Sequence, residues 1–136
     1  MYFFKTPGLF KILFPSLVWE MPAEEKAIYL TFDDGPTENL TLWILNELEK
    51  FNAKATFFCV GDNVVKYPEK FARILTTGNA VGNHTFNHLD GWKSSPYKYY
   101  NDTDLCREFV PSVLFRPPYG HITPALIKKL KKFKII

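Results

Sequence analysis

Thr31-Phe32-Asp33-Asp34-Gly35-Pro36 is the stretch from which the fold of this chain is read. The apolar run Ala27-Ile28-Tyr29-Leu30 leads into two adjacent carboxylates, and a Gly-Pro breaker follows at once. This is the pattern of a strand that ends in a turn, with both acids on the rim where the strand stops. Like charges at close range resist joint ionisation. The pair therefore calls for a cation or a shared proton.

Outward from this strand the hydrophobic period alternates. Strands are predicted over residues 26–32, 54–60, 79–82, 113–115 and 133–136. Helices are predicted over 40–51, 63–77, 97–109 and 124–132. In the first helix Leu42, Leu45, Leu48 and Phe51 fall near helical spacing, with Thr37 or Asn39 as N-cap. The second is expected to break at Pro68 and to stop at Gly78. Alternating strands and helices predict an α/β fold, a parallel sheet with right-handed crossovers. At 136 residues the chain has room for one domain.

Composition narrows the class only a little. Hydrophobic residues make up 46% and charged residues 23%, an ordinary globular balance. A net charge of +3 gives no nucleic-acid footprint. The run Lys128, Lys129, Lys131, Lys132 and Lys134 reads as a solvated helix face. Aromatics reach 17%, which suits either a packed core or a groove for sugar rings. Cys59 ends an apolar run and reads as a buried small residue, and neither it nor Cys106 belongs to a Cys-x-x-Cys pair. Residues 1–18 are apolar and aromatic but carry Lys5, Pro7, Lys11 and Pro15, too interrupted for a transmembrane segment of ~20 apolar residues. They also lack an unbroken apolar stretch followed by a small-residue cleavage site, so no signal peptide is read and the compartment stays open between cytoplasm and cell envelope. This segment is expected to pack on a domain formed by 19–136.

Three polar clusters each fall where a strand gives way to a loop. They are Asp33-Asp34, His84-Thr85-Phe86-Asn87-His88 and Arg116-Pro117-Pro118-Tyr119-Gly120. In parallel α/β barrels the active site is built at the C-terminal strand ends. His84 and His88 are four apart, a spacing that puts both imidazoles on one face of a helical turn. Two histidines and one carboxylate leave positions open on a metal ion, which suits a catalytic zinc and equally a non-haem iron(II) centre. One acid would then ligate while the other takes a proton from water; alternatively one of them caps the following helix. Pro117 and Pro118 stiffen the third cluster and leave the Tyr119 N–H as a pre-set donor for an oxyanion. Arg116 is placed to hold a carboxylate ionised through a forked contact.

In order and spacing these three clusters resemble the first three motifs of the polysaccharide deacetylase family, also called the NodB-homology or carbohydrate esterase family 4 domain. The resemblance runs from about Trp19 to the last residue, and Ala53-Lys54-Ala55-Thr56-Phe57-Phe58 is similar to the family's second strand. It implies a distorted (β/α) barrel and metal-dependent removal of N-acetyl groups from an N-acetylglucosamine-containing glycan. It also implies Asp33 as general base, and Asp34, His84 and His88 as ligands of one divalent ion, usually Zn2+. By the same resemblance Arg116 would orient Asp33, the Tyr119 amide would help bind the oxyanion, and Thr85 would brace its loop.

The family carries two further motifs, one with an Asp and a groove Trp, the other a Leu-x-His whose His is the general acid. The chain closes at Phe133-Lys134-Ile135-Ile136 without them. The expectation is thus an incomplete barrel lacking its last strands, with the first strand at an open edge. His121, the third histidine, matches no family motif. The alternative to a deacetylase is an inactive remnant that retains metal or sugar binding. Trp92 and Tyr119 are candidate groove aromatics, with Trp92 equally a core candidate.

Overall fold

In a computed structural model of the chain, residues 8–21 and 27–136 are described. The expectations for Tyr2 to Pro7 and for Lys26 lie outside them. The elements are α1 (Gly8–Leu13), β1 (Leu30–Gly35), α2 (Leu40–Lys50), β2 (Ala55–Cys59), α3 (Gly61–Lys66), α4 (Pro68–Thr76), β3 (Ala80–Asn83), α5 (Pro96–Cys106), β4 (Leu114–Phe115), α6 (Pro124–Lys129) and β5 (Lys134–Ile135). A 3₁₀ turn spans Pro118–Gly120. No helix among the described residues is long and apolar enough to cross a membrane.

The five strands are parallel and lie in sequence order, β1-β2-β3-β4-β5. Crossovers of one hand that always step the same way put the helices on one face, the winding of a barrel rather than of a doubly wound sheet. Alternation along β2 sorts its side chains. Ala55, Phe57 and Cys59 join Leu45, Leu48, Val64, Ile74 and Cys106 in the larger core. Phe58 lies on the other face, in a cavity of about 440 Å3 with Thr31, Thr56 and Leu114. Gly82 is required beside it, because a Cβ there would meet the Phe58 ring at 2.5 Å. A second core joins Tyr99, Phe115, Leu126, Leu130, Phe133 and Ile135, with Leu17 packed against it. Val18 N–H donates to the Ile135 carbonyl at 2.8 Å, so the chain ahead of β1 lies along the β5 edge. Burial pushes both thiols, Cys59 and Cys106, up to about 12, so neither is a nucleophile.

Several boundaries differ from expectation. β1 begins at Leu30 and runs through both acids to Gly35, because Asp33 and Gly35 pair with Phe58 and Cys59. Asp33 and Asp34 therefore belong to the last turns of the strand rather than to the loop after it. α2 buries Thr41, Leu45 and Leu48, while Leu42 and Phe51 are exposed. Asn39 holds the N-cap position of α2 without a side-chain capping bond; the Thr37 N–H donates instead to Thr41 Oγ1 at 2.8 Å. The predicted helix over 63–77 is two helices meeting at Tyr67-Pro68, where proline cannot continue the first and readily starts the second. Gly78, with φ +75°, ends α4.

Candidate functional site

Successive residues of a regular strand point to opposite faces. Asp33 and Asp34 nevertheless line one cavity, of about 370 Å3, with His84, His88, Arg116 and Tyr119. The register explains it. Asp33 pairs with Phe58 and Gly35 with Cys59, which leaves Asp34 as an extra, bulged residue at φ 67°. A bulge of this kind re-aims a side chain at the end of a strand. Asn63, in α3, donates to the Asp34 carbonyl at 2.7 Å and fixes the bulge from outside the sheet.

The histidines converge by a different route from the one their spacing suggested. Residues 84–88 form a loop, not a helical turn, and Thr85 and His88 hold φ values of 62° and 53°. What enforces this shape lies underneath. Asn83 Oδ1 accepts from the Thr85 N–H at 2.9 Å, and its Nδ2 donates to the Thr103 carbonyl at 2.9 Å. Thr85 Oγ1 accepts from the Leu89 N–H at 3.0 Å. Asp102, buried on α5, accepts from the Phe86 and Asn87 N–H groups at 2.9 Å each and from Asn87 Nδ2 at 2.5 Å. The sequence reading missed Asn83 and Asp102. A signal for Asp102 exists: Tyr99, Asp102, Thr103 and Cys106 form the buried face of α5, and an acid on such a stripe requires partners.

Asp34 Oδ1 lies 2.9 Å from His88 Nε2 and 3.3 Å from His84 Nε2. One ligand atom from each of the three falls within 4.8 Å of the others. His84 Nδ1 is 2.7 Å from the Arg116 carbonyl, which sets Nδ1 as the protonated nitrogen and leaves Nε2 with its lone pair facing Asp34. Burial draws the His84 imidazole below its ordinary value, against the Arg116 carbonyl and the charge of Asp33, and so favours the neutral, ligating form. Two imidazoles and a carboxylate around one point are a donor set that suits a divalent metal ion.

Asp33 stands beside this trio with a different partner. Arg116 Nη1 donates to Asp33 Oδ1 at 2.9 Å and to Thr31 Oγ1 at 2.9 Å. The contact is not the predicted fork, because the same nitrogen serves both acceptors. The guanidinium also lies 4.2 Å from the Phe58 ring centre, which fixes its plane. Tyr119, in the 3₁₀ turn, has φ 60° and packs edge-on against His88 at 4.8 Å. Trp92 is exposed and belongs to neither core. Its ring lies flat on His121, whose Nδ1 is 3.0 Å from Asp90 Oδ1.

Known proteins resemble this chain over most of its length. The polysaccharide deacetylase family model matches residues 20–135. A peptidoglycan-N-acetylglucosamine deacetylase of Bacillus cereus is 40% identical over 121 residues, covering 85% of this chain and 57% of its own length. The solved peptidoglycan deacetylase PdaC of Bacillus subtilis superposes with a TM-score of 0.74 at 38% identity, over 85% of this chain and 60% of that one. A family 4 acetyl xylan esterase of Clostridium thermocellum, solved with a cobalt ion, gives 0.64 at 33% identity, over 74% and 53%. The chain thus spans a little more than half the length of these relatives. The parallel sheet is that of the NodB-type (β/α) barrel, and the chain belongs to the polysaccharide deacetylase family.

Proposed function

We propose that this chain carries the metal-binding half of a carbohydrate N-deacetylase, a hydrolase that splits the N-acetyl amide of an N-acetylglucosamine-containing glycan into acetate and an amine. The observation that carries this reading is the convergence of Asp34, His84 and His88 on one point, with Asp33 beside them held by Arg116 rather than by the histidines. Peptidoglycan is the favoured substrate, because the curated relatives include peptidoglycan deacetylases. Residues 19–136 form the domain in this reading, and 1–18 are a segment laid upon it.

Asp34, His84 and His88 would hold one divalent ion, zinc by the character of the donors. The chemistry such an ion supplies is Lewis acidity, which lowers the pKa of water to ~7 and polarises a carbonyl. The chain's own residues supply the rest. Asp33, beside the Arg116 guanidinium, is the base that takes a proton from the attacking water. Arg116 positions Asp33 and keeps it from joining the ligand set. The Tyr119 amide, fixed in the middle of the 3₁₀ turn behind Pro117 and Pro118, donates to the oxyanion that develops on the acetyl oxygen. His84 is locked by the Arg116 carbonyl, so one residue, Arg116, holds both the base and a ligand.

Acetate release from chitotetraose by the purified chain with zinc tests this directly. Release that Asp33→Asn abolishes while zinc binding persists is the expected result. Zinc binding that Asp34→Ala abolishes, without any acetate from the wild-type chain, would instead establish the inactive remnant.

A further inference from the structure

Trp92 is 66% exposed, yet it is fixed more firmly than a surface indole needs to be. Its ring stacks on His121 with centroids 3.6 Å apart and planes 6° from parallel. His121 is held in turn by Asp90, and the same Asp90 oxygen accepts the Trp92 N–H at 2.9 Å. Gly91 makes the approach possible: a Cβ there would meet the His121 carbonyl oxygen at 2.1 Å. Two loops, one after β3 and one after β4, are thereby pinned together for the sake of a ring that contributes to neither core.

The ring is continuous with the metal-ligand cavity. His88 packs against Tyr119 at 4.8 Å, Tyr119 lies 5.8 Å from His121, and His121 carries Trp92. Tyr119 is itself 64% exposed. Ring by ring, an aromatic ledge therefore leads out of the cavity and ends on the uncovered face of the indole. Large exposed aromatic surface held in one orientation marks a binding surface, because contact area is already ordered before the ligand arrives. A pyranose ring, apolar on its C–H face and polar at its edge, fits a flat indole.

We infer that Trp92, stacked on His121, is a sugar-ring platform for a unit of the glycan next to the one whose acetyl group is removed. The inference rests on the reading of the cavity as a glycan deacetylation site. The platform makes the protein prefer oligomers to single sugars and leaves the chemistry at Asp33 untouched. Asp90 and His121 act only by positioning Trp92.

Calorimetric titration of the full chain with chitotetraose and with free N-acetylglucosamine tests the platform, alongside acetate release from both with zinc present. Trp92→Ala should weaken chitotetraose binding about tenfold and leave the single sugar unchanged, with the loss appearing in KM rather than kcat. Trp92→Phe should recover most of it. Chitotetraose binding that is unchanged in Trp92→Ala, weakened equally for both sugars, or absent in the wild-type chain overturns the inference. Acetate release that ignores Trp92 at every oligomer length sinks the platform and spares the deacetylase. Trp92-dependent binding without acetate release from the wild type does the reverse.

Discussion

The two groups of candidate metal ligands are built in opposite ways. The histidine loop, residues 84–88, is tied down from below by Asn83 and Asp102, and His84 is almost wholly buried. The acid pair stands in the open: the Asp34 side chain is 67% exposed and that of Asp33 38%. Its geometry comes from one bulge and from Arg116. The difference separates two tasks. The buried His84 imidazole, favoured in its neutral form, can be placed permanently by the fold, because it carries no charge to desolvate. Two adjacent carboxylates cannot be buried without a cation, so they stay wet until one arrives.

The largest expected effect breaks the comparison on the acid side. Asp33→Asn should lower acetate release on the order of 10³-fold while the midpoint of thermal unfolding barely moves. Next, zinc at a hundred times its Kd should stabilise the wild-type chain by about 2.7 kcal/mol, measured by urea unfolding with and without chelator. Asp34→Ala should abolish that increment, and without zinc it should cost no more than about 1 kcal/mol, the strain of alanine at the φ 67° position. On the histidine side the order inverts. Asp102→Ala strips the Asn87 N–H of its acceptor and leaves the Phe86 N–H only the longer 3.2 Å bond to the residue 102 carbonyl. It should cost about 2 kcal/mol of stability without any metal and weaken zinc binding besides. Smallest of the four, Gly61→Ala would press a methyl to 2.4 Å from the Phe86 ring. About 1 kcal/mol is expected, again read by urea unfolding.

The same contrast explains what the sequence made legible. The strand and helix alternation, the split at Pro68 and the stop at Gly78 are local signals, and local chemistry decides them. The three clusters are contiguous in the chain, so their meeting at strand ends follows from the topology alone. The bulge at Asp34 depends on which β2 residues β1 finds as partners, and no property of Thr31 to Pro36 states that. The histidine spacing pointed to a pair that the structure does bring together, but through the wrong geometry, since Thr85 and His88 adopt a backbone that residues other than glycine seldom take. Asp102 lies on a helix with only a weak apolar stripe, and its three donors sit fifteen or sixteen residues earlier. Trp92 was open between core and groove on sequence alone, and its exposure decides against the core.

Five described residues other than glycine have positive φ; three of them, Asp34, His88 and Tyr119, line the candidate-site cavity, and a fourth, Thr85, lies in the histidine loop beside it. The fifth, Asn52, turns the chain after α2, far from it along the sheet. Each such backbone carries a conformational penalty of about 1 kcal/mol or more that glycine would relieve. A selection for heat resistance alone would therefore be drawn to the residues that shape the candidate site, and would trade the proposed activity for melting temperature. Asn52→Gly is the position where thermostability and turnover should part company, gaining a few tenths of a kcal/mol at unchanged kcat.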